Sequence, residues 1–167
     1  ESGVELVEGN KVLKTEFYSY LGDLYNTKKL YSKSDENYTK ALELDPKNFF
    51  VLNNYSYYLS LRKEQLEKAA EMSKLSNELS PENASFEDTY GWILYEQKKY
   101  SEAFEWLHKA EQHGGENNGT ILEHIGDAYF RNGNIEEAMK YWKKAKASGN
   151  ETSDTLDLKI QRKKIID

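Results

Sequence analysis

The chain has 167 residues, 38% hydrophobic and 31% charged, with two prolines and no cysteine. That excludes a disulfide framework and thiolate chemistry and suits amphipathic helices better than disorder or a sandwich of short strands. The formal charge is −6, with Lys and Arg dispersed among Glu and Asp, so no basic stripe is available for counterion release and nucleic acid is not an expected partner.

The length fits one compact domain or one continuous array, and no apolar run approaches the roughly 20 residues of a membrane helix. Thirteen tyrosines favour a thin layered structure, because Tyr packs its ring while keeping its hydroxyl wet. Residues 1–14 read as the remnant of a preceding unit and a linker, with Val4, Leu6 and Val7 as its last turns. The first residue is Glu, not Met, so a fragment of a longer protein is expected, and any targeting segment would lie in the missing part.

From residue 15 an internal period takes over. Small residues Gly22, Ser56, Gly91 and Gly126 recur at intervals of 34, 35 and 35. A bulky residue precedes each (Leu21, Tyr55, Tyr90, Ile125), and another follows three later (Tyr25, Leu59, Leu94, Tyr129). A small residue so flanked is what a close helix crossing requires. Ser34, Ala69, Ala103 and Ala138 repeat the logic in a second helix. Tyr38, Leu107 and Trp142 follow four later in three of the units, where the second unit has Ser73.

The predicted helices, in chain order, are 15–27 and 31–44 (unit 15–48), 49–61 and 65–79 (unit 49–83), 83–97 and 100–113 (unit 84–118), and 118–132 and 135–148 (unit 119–150). Apolar residues at i, i+3, i+4 and i+7, as in Ile135, Ala138, Met139, Trp142 and Ala145, support the assignment. Pro46 and Pro81 stop the first two units. Gly114-Gly115 and Gly149-Asn150 stop the others, suited to a left-handed turn beyond a helix end. A ninth helix, 153–165 within a terminal segment 151–167, is expected to cap the array, with Leu156 and Ile160 inward and Gln161, Arg162, Lys163 and Lys164 in water.

The stretches YLGDLY (20–25), TYGWILYEQKKYSEAFEWLHKA (89–110) and HIGDAYFRNGNIEEAMKYWKKA (124–145) resemble the tetratricopeptide repeat family, from about residue 15 to 148. The resemblance implies an all-α fold: a right-handed α-α superhelix of four helical hairpins with a C-terminal capping helix. It also implies that the first helix of each hairpin lines a concave groove. Tyr20 and Asp23, then Asn53, Asn54 and Tyr57, then Asp88, Trp92 and Tyr95, then Glu123, Asp127 and Arg131 would share that surface. Their spacing of three or four within each helix supports a common face.

Catalytic constellations are thin. His108 and His113 fall on different helix faces, and His124 has no Cys or His at ligand spacing, so no metal is expected. The nucleotide-binding glycine loops are absent, and Glu136-Glu137 suits a solvated helix start. Five Asn-x-Ser/Thr sequons, at Asn37, Asn54, Asn83, Asn118 and Asn150, are read as chance. No enzymatic activity and no cofactor are expected.

One version of the family grips a C-terminal carboxylate through a Lys, Arg and Asn clamp. Asn54 matches one clamp position, but Ser19, Asp23, Ser85 and Thr89 stand at others, and the acids of the groove would repel an acidic tail. The expected partner is therefore a protein or peptide with a neutral or basic segment. Two alternatives stand beside this scaffold: self-association through the apolar N-terminal edge, and service as the regulatory arm of a larger enzyme. LNNYSYYLS (52–60) and DTYGWILY (88–95) are similar in flavour to stretches of bacterial proteins, cell-envelope lipoproteins among them, which leaves cytoplasm and envelope both open.

Overall fold

The computed structural model describes residues 10–166, so the reading of Val4, Leu6 and Val7 lies outside the described residues. Nine α-helices follow among them: α1 (Lys11–Thr27), α2 (Tyr31–Leu44), α3 (Phe49–Arg62), α4 (Leu66–Leu79), α5 (Ala84–Glu96), α6 (Tyr100–Ala110), α7 (Gly119–Arg131), α8 (Ile135–Ala147) and α9 (Leu156–Arg162). They fall into two compact units that meet in sequence at Leu79 and Ser80. Unit 1 holds the hairpins α1/α2 and α3/α4; unit 2 holds α5/α6, α7/α8 and the terminal α9.

Local chemistry sets the helix ends. Each leading helix starts at an asparagine: Asn10, Asn48, Asn83 and Asn118 all accept a backbone N–H of the first turn, satisfying one of the amides a helix start leaves unpaired. Asn10 explains why α1 begins four residues before the expected 15. Inside each hairpin the chain turns through a residue of positive φ: Lys29, Lys63, Lys98 and Gly133. The amide after it reaches back to close the turn, as from Leu30 to the Tyr25 carbonyl at 2.8 Å and from Asn134 to that of Tyr129 at 3.0 Å, the bond pattern of a Schellman end. Only the fourth hairpin meets this backbone requirement with glycine.

The close crossings pair the residues the period singles out. A Cβ at Gly22 would lie 2.8 Å from the Tyr38 ring, one at Gly91 2.8 Å from Leu107 Cγ, and one at Gly126 2.5 Å from the Trp142 indole. Tyr38, Leu107 and Trp142 are fully buried, so each fills the space its glycine leaves. The Ser34 hydroxyl donates to the Gly22 carbonyl at 2.8 Å, fastening the same crossing in α1/α2.

Two expected helices change length. The predicted helix 100–113 is α-helical only to Ala110 and then widens through Glu111–Gly115, where Gly114 takes φ 110°. The terminal helix covers Leu156–Arg162 rather than 153–165. Leu156 is buried with Leu122, Ala138, Trp142 and Ala145, and Ile160 packs beside them. Residues 161–164 are exposed, as a solvating cap demands. No helix among the described residues is long and apolar enough to cross a membrane.

Candidate functional site

The leading helices bring together different groups in the two units. In unit 1, Tyr20 of α1 projects into solvent at 71% exposure. Asp23 is half-buried and accepts a short hydrogen bond from the Tyr38 hydroxyl. Burial first, and then that carboxylate, push the Tyr38 phenol far above its ordinary range. The Tyr38 ring stacks on Tyr55 with centroids 5.0 Å apart, so Asp23 serves the hairpin itself. On α3, Asn53 is buried, and its side-chain carbonyl has no hydrogen-bond partner among the described residues. Asn54 and Tyr57 are half-buried, with the Tyr57 ring against Tyr58.

In unit 2 all six expected residues join one network. Trp92 of α5 lies flat between two rings, 4.6 Å from Tyr95 and 4.0 Å from His124 of α7. Asp88 meets His124 Nδ1 at 2.8 Å. Arg131 Nε donates to the Tyr95 hydroxyl at 3.1 Å. Glu123 and Asp127, one turn apart on α7, are 2% and 3% exposed, burial that a carboxylate tolerates only when paired.

Their partner comes from the terminal segment. Lys159 Nζ lies 2.7 Å from Glu123 Oε1 and 2.7 Å from Asp127 Oδ2. Glu123 also accepts the Ser153 amide at 2.7 Å and the Ser153 hydroxyl. Trp142 Nε1 donates to Asp127 Oδ1 at 2.8 Å.

One ammonium shared by two buried acids leaves a residual imbalance. Burial works to raise the Glu123 carboxyl, but Lys159 and Ser153 outweigh it and hold the group below its ordinary value. Asp127 goes the other way: burial raises it further than Lys159, His124 and Trp142 lower it. For His124, burial disfavours the charged ring, yet the fields of Asp88, Asp127 and Glu123 prevail and raise it above the usual imidazole value.

Three participants escaped the sequence reading: His124, Ser153 and Lys159. For His124 the sequence shows only that no Cys or His stands at ligand spacing, and the acid it meets, Asp88, lies 36 residues away. The signal for Lys159 was its register, three after Leu156 and one before Ile160, on the inward face of a terminal amphipathic helix. Among the described residues no group of three or more His, Cys, Asp or Glu could hold a metal ion.

Helical hairpins with repeating glycine crossings, whose leading helices carry a polar and aromatic face, define an all-helical repeat scaffold. Family profiles described as tetratricopeptide repeat match residues 37–71 and residues 15–48 and 120–147, together more than half of the chain, and the chain belongs to the tetratricopeptide repeat family. Among similar solved structures, PilF of Pseudomonas aeruginosa shares 21% identity over 89% of this chain and 71% of its own, with a TM-score of 0.71. PilW, a type IV pilus biogenesis factor, shares 16% over 96% and 73%, with a TM-score of 0.79. YrrB, a repeat protein with an unusual peptide-binding site, shares 18% over 89% and 75%, with a TM-score of 0.68. At these identities the likeness speaks for the fold alone. Comparison with curated proteins finds no match. Family and fold support a protein–protein interaction scaffold.

Proposed function

We propose that the chain is a non-catalytic binding module whose leading-helix face receives a segment of a partner protein, with preference for a neutral or basic segment. The observation that carries this reading is the docking in unit 2. There the face built from Asp88, Trp92, Glu123 and Asp127 is a connected polar and aromatic surface, and it engages a segment from outside the hairpins through a lysine. In unit 1, Asn53, Asn54 and Tyr57 of α3 would serve a partner in the same way. Amide side chains donate and accept at once, and a half-buried tyrosine supplies rigid contact area.

Peptide arrays of graded charge, followed by fluorescence anisotropy at fixed salt, test the reading. Neutral and basic peptides should bind, and the double change Asn54→Ala with Tyr57→Ala should weaken binding at least tenfold. Tighter binding of acidic peptides would refute the charge preference.

Self-association is favoured by a separate feature of unit 1. Leu13, Tyr20 and Leu24 of α1 are exposed at i, i+7 and i+11, an apolar stripe on one helix face. Light scattering across concentration separates the two readings, since only self-association makes mass rise with concentration in the absence of peptide.

A further inference from the structure

The contact made by Lys159 has the composition of a receptor site with its ligand in place. The ammonium is buried, the side chain being 7% exposed, and it bridges carboxylates one helical turn apart on α7. Asp127 is fixed from behind by the Trp142 indole of its own hairpin, while Glu123 takes the amide of Ser153 from the same docked segment. Leu156 fills the apolar floor beside them. The other cations of the tail, Arg162, Lys163 and Lys164, are exposed, so one lysine carries the recognition.

The occupant is weakly held by its own structure. α9 has seven residues, far below the roughly 12 to 15 at which an isolated helix becomes even marginally stable. It is tethered through exposed residues 149–151, with Gly149 at φ 68°. Its order therefore depends on the docking itself, and loss of the docked contacts frees it.

We propose that the α7 face of unit 2 is a lysine-recognition site, held shut by the chain's own α9. A partner carrying a lysine three residues after one aliphatic side chain and directly before another, the Leu156, Lys159, Ile160 register, opens it by taking that place. The inference rests on the reading that partners bind along the leading helices, and it names the chemistry they bring. The site is a pair of carboxylates one helical turn apart, one of them held in place by Trp142, and it discriminates a buried lysine from a neutral side chain through the cost of leaving two covered acids uncompensated.

The test uses the full chain with Lys159→Met, which removes the ammonium and keeps the length of the side chain. A second variant, Leu156→Ala, loosens α9 with the lysine kept; circular dichroism checks both for helix content. The probe is a labelled peptide with the sequence of residues 153–166, beside a copy bearing norleucine at the place of Lys159. The expected result is that amides of residues 156–162 exchange at least tenfold faster in both variants. The peptide should bind Lys159→Met at least tenfold more tightly than the parent chain, and the norleucine copy should lose that gain.

Unchanged exchange in both variants would overturn the latch. Equal binding of the two peptides would overturn lysine recognition while leaving the leading-helix face as a binding surface. A released tail with no uptake of either peptide, or of any member of the graded-charge array, would overturn both. A concentration-dependent dimer with no peptide uptake would replace the partner by exchange of α9 between two copies and overturn the proposal.

Discussion

The first and fourth hairpins carry the same three-part device. In each, a glycine of the leading helix admits an aromatic ring of the second, and the aspartate directly after that glycine accepts a hydrogen bond from the same ring: Gly22, Asp23 and Tyr38 in unit 1, Gly126, Asp127 and Trp142 in unit 2. The surroundings differ. Asp23 is half-buried, and among the described residues no ion pair reaches it, whereas Asp127 is buried and shares Lys159 with Glu123. The hairpin thus fixes where the carboxylate sits, and what covers it decides whether it behaves as a solvated acceptor or as half of a buried ion pair.

Overpacking the crossing should give the largest effect. A methyl group at Gly126 would press on a fully buried indole at 2.5 Å with the Ala138 carbonyl at 3.2 Å behind it, whereas at Gly22 the nearest ring atoms are at 2.8 to 2.9 Å. Gly126→Ala gains up to about 1 kcal/mol of helix propensity, but overpacking costs roughly 1–3 kcal/mol and sometimes more, so the variant should be destabilised. Gly22→Ala should be affected less. All three tryptophans, Trp92, Trp106 and Trp142, lie in unit 2, so tryptophan fluorescence in urea follows unit 2 and hydrogen exchange follows each unit separately. An equal loss at both glycines would break the comparison.

Removing only the donor sharpens it. Trp142→Phe keeps a ring at the crossing but takes the N–H from a buried carboxylate, which should cost about 1–3 kcal/mol. Tyr38→Phe takes the hydroxyl from an aspartate that water can reach, and the loss should stay below about 1 kcal/mol. Hydrogen exchange read within each unit decides it, since unit 1 holds no tryptophan, and the ordering, rather than either value alone, is the result that counts.

The period alone made the crossings legible. Steric need repeats every turn of the array, and the pairing of Gly22 with Tyr38, Gly91 with Leu107 and Gly126 with Trp142 is written in the spacing. The charged network was only half legible. Spacing places Asp88, Glu123 and Asp127 on a face, but it does not say which cation meets them, because Lys159 and His124 lie 32 to 36 residues away from the acids they contact. The acidic groove expected from Asp88, Glu123 and Asp127 is in unit 2 internally compensated by those two residues. Helix ends were missed where polar side chains, not apolar period, set them: Asn10 starts α1 early, and residues 153–155 turn to serve Glu123 in place of extending α9.

The smallest effect expected is a dependence of unit 2 on pH that unit 1 lacks. His124 faces Asp88 from α5, Glu123 and Asp127 from its own helix, and Lys159 from α9 beyond them, and the three acids raise its folded-state value above the ordinary 6.5 despite burial. A histidine raised in this way binds its proton more tightly folded than unfolded, so its contribution is complete below the unfolded value and disappears as pH climbs through the folded one. Unit 2 should therefore lose stability between pH 6.5 and the higher pH at which folded His124 titrates. Above that pH the contribution is absent and the curve flattens. His124→Asn should remove this slope while leaving the tyrosine-lined hairpins of unit 1 unchanged. Tryptophan-monitored urea midpoints taken through that range measure it directly, alongside the imidazole titration followed by NMR. A slope that survives in His124→Asn would assign the pH dependence to Asp127 instead, whose carboxyl burial holds above its ordinary value in the folded chain.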